Sequence, residues 1–122
     1  MIEGTLIAES LRPGTELGGM RLAVLKLSRA AAGDVSAGQP QLWTFIEFEA
    51  GEAAAGRLAA ILVQALEDKP AWYADFRTPH ETWVVYPGRI FRYPRGDTAS
   101  REAAEAYGRS LGIPENQLDW PV

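Results

Sequence analysis

Hydrophobic and polar residues alternate with two different periods along the chain, and the two periods predict its secondary structure. Alternation with a period of two predicts strands over Ile2–Glu9, Met20–Arg29 and Gln41–Ala50. A helical period follows over Glu52–Glu67, and Lys69-Pro70 ends it because proline cannot continue a helix. The first half of the chain is therefore predicted to have the order β-β-β-α.

The most strongly patterned stretch is Ala71–Asp97, which contains three short runs of aromatic and β-branched residues. These runs predict strands over Trp72–Arg77, Thr82–Tyr86 and Ile90–Tyr93. Pro87-Gly88 predicts a type II turn between the last two strands, because proline fixes its own φ and glycine accepts a positive φ.

A second helix is predicted after this stretch, with Asp97 or Thr98 as its N-cap and Gly112 at its C-terminal end. The tail that follows contains Leu118 and Trp120, more apolar surface than a free tail would keep, so we expect it to dock on the rest of the protein. The expected buried face of the helix consists of five residues: Ala99, Ala103, Ala106, Tyr107 and Leu111.

The whole pattern, β-β-β-α-β-β-β-α, predicts one α+β domain over residues 1–122, with one mainly antiparallel sheet of about six strands and two helices. Its hydrophobic content of 47% and charged content of 23% are typical of a globular protein. Met20–Arg29 has apolar residues on both faces, which favours a central position in the sheet. Ala30–Gln39, rich in small residues and glycine, is expected to be the most flexible internal loop.

Composition and charge exclude several classes of function. The chain has no cysteine, which excludes disulfides, cysteine-ligated zinc, iron–sulfur clusters and thiol catalysis. Its formal net charge of -4 argues against a nucleic-acid partner. No segment approaches the apolar length of a membrane span, so we expect no membrane association and a cytoplasmic location.

Neither a metal site nor a cofactor is predicted. His80 is the only histidine, and its place in a proline-containing turn favours an exposed turn residue over a ligand or base. Glu47, Glu49 and Glu52 are spaced as a solvated strand end, without the glycine-bearing loop of a calcium site. The serines lack a G-x-S-x-G elbow, which argues against a hydrolase triad.

Three segments in the second half of the chain carry a resemblance to other proteins: WYADF from Trp72, WVVYPGRIFRYPRGD from Trp83 and YGRSLGIPENQLDW from Tyr107. Together they resemble a group of small uncharacterised bacterial proteins with similar C-terminal halves. The resemblance implies a bacterial protein and assigns no catalytic or binding residue.

The favoured function is a non-enzymatic binding module of immunity or regulatory type, because aromatic side chains dominate binding hot spots. Its partner, a protein or a small ligand, would contact the part of the sheet that the helices leave uncovered. The alternative is a small enzyme that uses Asp75 with Arg92 or His80 in acid–base chemistry. Convergence of Asp75, Arg77 and Arg92 in one concave pocket would favour the enzyme. Six residues are the site candidates: Trp43, Trp72, Asp75, Arg77, Trp83 and Arg92.

Overall fold

The computed structural model describes all 122 residues and contains a single antiparallel sheet with the strand order β2-β3-β1-β4-β5-β6. This architecture confirms the predicted α+β fold and the predicted order of elements. No helix is long and apolar enough to cross a membrane. The elements are β1 (Ile2–Ile7), β2 (Ala23–Ala31), β3 (Leu42–Ala50), α1 (Ala55–Ala65), β4 (Ala74–Arg77), β5 (Glu81–Tyr86), β6 (Arg89–Pro94) and α2 (Thr98–Ser110).

Helix α1 covers one face of the sheet, which we call the α1 face. Leu58 and Leu62 lie one helical turn apart and are fully buried against side chains of β1, β4 and β5, such as Phe76 and Val85. Complete burial of each leucine contributes about 1.5 to 3 kcal/mol to folding. Most of the larger of the two hydrophobic clusters lies here, and the cluster extends to Trp43 and Trp72.

Helix α2 and the C-terminal tail cover part of the opposite face, which we call the α2 face. Asp97 is the N-cap as predicted, since its carboxylate accepts hydrogen bonds from the Ser100 backbone N–H at 3.1 Å and from the Ser100 hydroxyl at 2.8 Å. Leu118 and Trp120 are 5% and 2% exposed, which confirms that the tail docks.

The buried face of α2 differs from the prediction. Ala99, Ala103 and Ala106 are exposed, whereas Ala104 and Gly108 are buried. Gly108 lacks a side chain, which lets Tyr86 and the tail approach the helix backbone, and the helix turns this side toward the sheet. A helical-wheel prediction treats glycine as neither apolar nor polar, so it does not identify the side of α2 that contains Gly108 as the buried face.

The predicted central position of the second strand is wrong, because β2 is an edge strand. Leu25 and Leu27 are 59% and 62% exposed. The pairing register shifts between Val24 and Lys26, where a β-bulge inserts one extra residue. Because the bulge reverses the alternation, Val24 and Leu27 pair with Phe48 and Ile46 and lie on one face, although strict alternation would put them on opposite faces.

Candidate functional site

The α2 face contains a cavity of about 360 Å³ between strands β3, β1 and β4 and the C-terminal tail. We call this cavity the aromatic pocket and define it by six of its lining residues: Trp43, Trp72, Tyr73, Asp75, Asp119 and Trp120. Helix α2 covers β5 and β6, and the tail lies next to the part of the sheet that α2 does not cover.

The floor of the aromatic pocket follows from strand alternation. Trp43 and Phe45 point to the α2 face from β3, and the antiparallel register pairs Phe45 with Ile7. The register of β1 with β4 pairs Thr5 with Asp75. Side chains from three neighbouring strands therefore meet at one place, although they are far apart in the sequence.

The tail forms one wall of the aromatic pocket and is fixed by hydrogen bonds. The Tyr73 hydroxyl donates to the Gln117 carbonyl oxygen. The Trp120 indole N–H donates to the Tyr93 hydroxyl at 2.8 Å, and Arg101 Nη2 donates to the Trp120 carbonyl oxygen at 2.8 Å. The tail wall is therefore held to the sheet and also to α2.

The loop between β2 and β3 forms the adjacent wall and is tied to the tail. Gln39 is buried, and its Oε1 accepts hydrogen bonds from Gln117 Nε2 at 2.8 Å and from the Ser36 N–H at 2.9 Å. Asn116 Nδ2 donates to the Asp34 carbonyl oxygen at 3.2 Å. The flexibility expected of this loop stays a prediction, and any motion has to break these contacts.

Asp75 is the most perturbed acidic group of the aromatic pocket. Its side chain is 18% exposed, and its Oδ2 lies 3.8 Å from Arg77 Nη1, which is longer than a hydrogen bond. Burial raises the pKa of Asp75 from 3.8 to about 6, with a smaller upward effect from Asp119, while Arg77 and Arg101 oppose the rise. The carboxylate is therefore mostly shielded from water, and its own backbone N–H is its one hydrogen-bond partner.

Four of the six candidate residues lie together: Trp43, Trp72, Asp75 and Arg77 line the aromatic pocket. Trp83 and Arg92 lie on the α1 face, where the Arg92 guanidinium is 4.5 Å from the centroid of the Trp83 ring and pairs with Glu81. His80 borders the same shallow depression as Trp83 and Arg92. Asp75, Arg77 and Arg92 do not converge in one pocket.

Three residues of the aromatic pocket were not among the candidates: Tyr73, Asp119 and Trp120. The docked tail was the one signal in the sequence that could have found Trp120 and Asp119. Docking alone does not specify which strands the tail crosses. Tyr73 follows directly after Trp72 in the aromatic run. Its hydroxyl holds the tail by donating a hydrogen bond to the Gln117 carbonyl oxygen.

Metal ligands and known proteins give no further assignment of the site. No group of three or more His, Asp or Glu side chains is placed to hold a metal ion. No family model, curated protein or solved structure matches this chain. The function is therefore inferred from the aromatic pocket itself.

Proposed function

We propose that this protein is a small non-enzymatic binding module whose ligand occupies the aromatic pocket. The observation that carries the proposal is a single concavity lined by three of the four tryptophans together with the Asp75 carboxylate. Ligand sites are typically apolar cavities of about 300 to 1,000 Å³ with a few polar groups that orient the ligand. The cavity of about 360 Å³ is near the lower end of that range, which favours a compact ligand.

The state of Asp75 supports a binding role. A carboxylate that is largely removed from water and has no hydrogen bond from another residue costs folding free energy, and an asparagine or a leucine would reduce that cost. Strongly perturbed carboxylates in clefts are enriched at functional sites. No other residue donates a hydrogen bond to Asp75, and a ligand group in the aromatic pocket would supply such a donor.

The concave shape favours a small ligand over a protein partner as the occupant of the aromatic pocket. A protein surface that inserted here would have to present one narrow protruding group between the tail and the loop. A bacterial, cytoplasmic setting with a regulatory role belongs to the same proposal. The resemblance of the C-terminal half to small bacterial proteins supports the bacterial part of this proposal.

A small acid–base enzyme is the second candidate, and the raised pKa of Asp75, about 6, favours it. The charged neighbour of Asp75 would be Arg77, since Arg92 and His80 lie at a different depression on the sheet. NMR spectra of a bound ligand distinguish the two candidates. A ligand that stays chemically unchanged supports the binding module, and conversion that stops in Asp75→Asn supports the enzyme.

The four indole N–H groups provide a direct test of where ligands bind. In a screen of small aromatic and aliphatic compounds against ¹⁵N-labelled protein, we expect hits to shift the indole signals of Trp43, Trp72 and Trp120. The Trp83 indole lies on the α1 face and is the internal control. Hits that shift Trp83 alone, or no hits at millimolar concentration, would contradict the proposal.

A further inference from the structure

The aromatic pocket carries an excess of negative charge. Asp75 and Asp119 line it, and Arg77 is its one cationic lining residue. Arg77 is shared, because its Nη1 lies 3.8 Å from Asp75 while its Nη2 lies 4.0 Å from Glu3. Arg101 near the pocket is 3.7 Å from Glu105. Arg77 is therefore the only cation that lines the pocket beside the carboxylates of Asp75 and Asp119. Its charge is also shared with the carboxylate of Glu3.

Three of the four aromatic donors around the pocket are already used within the protein, and the Trp72 indole N–H is the exception. The Trp43 N–H donates to the Pro40 carbonyl oxygen at 2.8 Å, and the Trp120 N–H donates to Tyr93. The Tyr73 hydroxyl donates to the Gln117 carbonyl oxygen. These side chains present their rings to the ligand, while the carboxylates keep free acceptor capacity. A ligand that donates hydrogen bonds would match these free acceptors.

The rings of the pocket are inclined toward each other. The ring centroids of Trp43 and Trp72 are 4.9 Å apart at an interplanar angle of 57°, and those of Tyr73 and Trp120 are 5.4 Å apart at 69°. Inclined rings form corners in which a positive group can contact the negative face of a ring. The protein makes this contact itself, since the Arg101 guanidinium lies 4.9 Å from the Trp120 ring centroid.

From the charge, the acceptors and the rings, we infer that the aromatic pocket binds a small organic cation: an ammonium group on a compact apolar body. The ammonium group would lie at Asp75 and Asp119, and the apolar body would lie between the indoles of Trp43 and Trp72. This assignment of ligand class rests on the proposed function. An anionic ligand of the same size would be repelled by both carboxylates.

Three probes of the same shape and different charge test the ligand class: 2-phenylethylamine, neutral 2-phenylethanol and anionic phenylacetate. Each is titrated into ¹⁵N-labelled protein above the Asp75 pKa of about 6, with the indole shifts as the readout. We expect the amine to bind about tenfold or more tightly than the alcohol, the gain expected from one charge-assisted hydrogen bond. Phenylacetate should bind most weakly.

Substitution of the pocket carboxylates tests whether they cause the preference for the amine over the alcohol. Asp75→Asn should remove most of the amine's advantage, measured as the ratio of its affinity to that of the alcohol. The ¹H–¹⁵N spectrum of the variant shows directly whether the fold is retained. Asp119→Asn should reduce the advantage less, because Asp119 is more exposed. The matched control is Asp68→Asn, whose carboxylate is 60% exposed and lies outside the pocket.

The two proposals fail in different ways. If the alcohol or phenylacetate shifts the pocket indoles at least as strongly as the amine, the ligand class is wrong and the binding pocket remains. An unchanged preference for the amine in Asp75→Asn also overturns the ligand class. If none of the three probes shifts the indoles of Trp43, Trp72 and Trp120, the ligand class is wrong, and the compound screen decides the binding proposal separately.

Discussion

Asp75 shows how one residue can connect the stability of this fold with its proposed function. The carboxylate faces Arg77 on its own strand, Asp119 in the tail, Arg101 on α2 and the Tyr73 ring. Burial dominates over the two arginines, so the net effect raises its pKa to about 6. The protonated form is therefore favoured by folding, and the charged form is disfavoured.

The first prediction is that Asp75→Asn stabilises the protein at neutral and higher pH. Because the folded-state pKa is raised, stability contributed by protonated Asp75 is present below its unfolded pKa and is lost as the pH rises through about 6. Relative to wild type, the variant should gain about 1 to 3 kcal/mol in free energy of unfolding at about pH 8 and little at about pH 4. Urea denaturation at both pH values measures this difference. A variant less stable than wild type at the higher pH would show that the charge is well compensated.

Gly108 is the second informative residue, because it lies where the backbone of α2 meets the sheet. A Cβ atom there would lie 2.7 Å from the Tyr86 hydroxyl oxygen and 2.8 Å from Leu118 Cδ2. The Tyr86 hydroxyl donates to the Ala104 carbonyl oxygen at 2.7 Å, so it is not free to move. The close contact explains why a residue with poor helix propensity lies inside a helix.

The second prediction is that Gly108→Ala destabilises the fold by about 1 to 3 kcal/mol through overpacking, although alanine favours helices. The matched control is Gly56→Ala in α1, where nothing lies within 4 Å of the added Cβ. That control should be neutral or stabilise by up to about 1 kcal/mol. Thermal unfolding of the two variants measures the contrast, and equal melting temperatures would contradict the close packing at Gly108.

At the scale of elements, the C-terminal tail both stabilises the fold and forms the pocket. Trp120 is 2% exposed, and its indole contacts Tyr73, Tyr93 and Arg101. Asp119, the next residue toward the helix, supplies one of the two pocket carboxylates. Loss of the tail is therefore expected to affect stability and ligand binding together.

The third prediction is that Trp120→Ala lowers the free energy of unfolding by about 3 to 5 kcal/mol, because it empties a buried indole site. Deletion of residues 117–122 should cost at least as much. Removal of Val122 alone, which is 74% exposed, is the control and should leave stability unchanged. A truncated chain that melts at the wild-type temperature would show that the tail is not part of the core.

The hairpin between β5 and β6 contains the turn that the sequence predicts. Gly88 has a φ of 78°, and its N–H donates to the Val63 carbonyl oxygen of α1 at 3.0 Å. Because nothing lies within 4 Å of a Cβ at this position, the need for glycine comes from the backbone alone. The turn therefore also anchors the hairpin to the helix.

The fourth prediction follows from that φ value: Gly88→Val should destabilise by about 1 kcal/mol or more through backbone strain. The control Gly51→Ala replaces a glycine with a φ of -65° that also has open space around it, so its cost should be small. Denaturation midpoints of the two variants test the difference. An unchanged midpoint for Gly88→Val would contradict the positive φ at this turn.

At the scale of the molecule, patterns local in sequence predicted the elements, while contacts between distant segments determined the site. The strands, both helices, the Gly88 turn and the docked tail follow from hydrophobic period, turn residues and caps. The edge position of β2 depends on a bulge, and the buried face of α2 depends on the contact of Gly108 with Tyr86. Neither the bulge nor the contact has a local signature.

The grouping of residues in the aromatic pocket could likewise not be predicted from local sequence patterns. Trp43, Trp72, Asp75 and Arg77 were found as candidates from composition, but their grouping requires the strand order β3-β1-β4. Trp83 and Arg92 have the same residue types in the same aromatic stretch, and strand alternation places them on the α1 face. Residue type identified possible ligand contacts, and sheet register separated those that lie in one pocket from those that do not.

Binding of a ligand in the aromatic pocket is tested by the affinity of 2-phenylethylamine for a variant whose pocket is filled. Thr5 lines the aromatic pocket from β1 and pairs with Asp75 across the sheet, so Thr5→Phe should occupy the cavity. Leu27→Phe adds a ring of the same kind on the opposite face, where Leu27 is 62% exposed. We predict that Thr5→Phe stays folded and loses affinity by about tenfold or more, while Leu27→Phe binds like wild type. Wild-type affinity in folded Thr5→Phe would contradict the assignment of the ligand to the aromatic pocket.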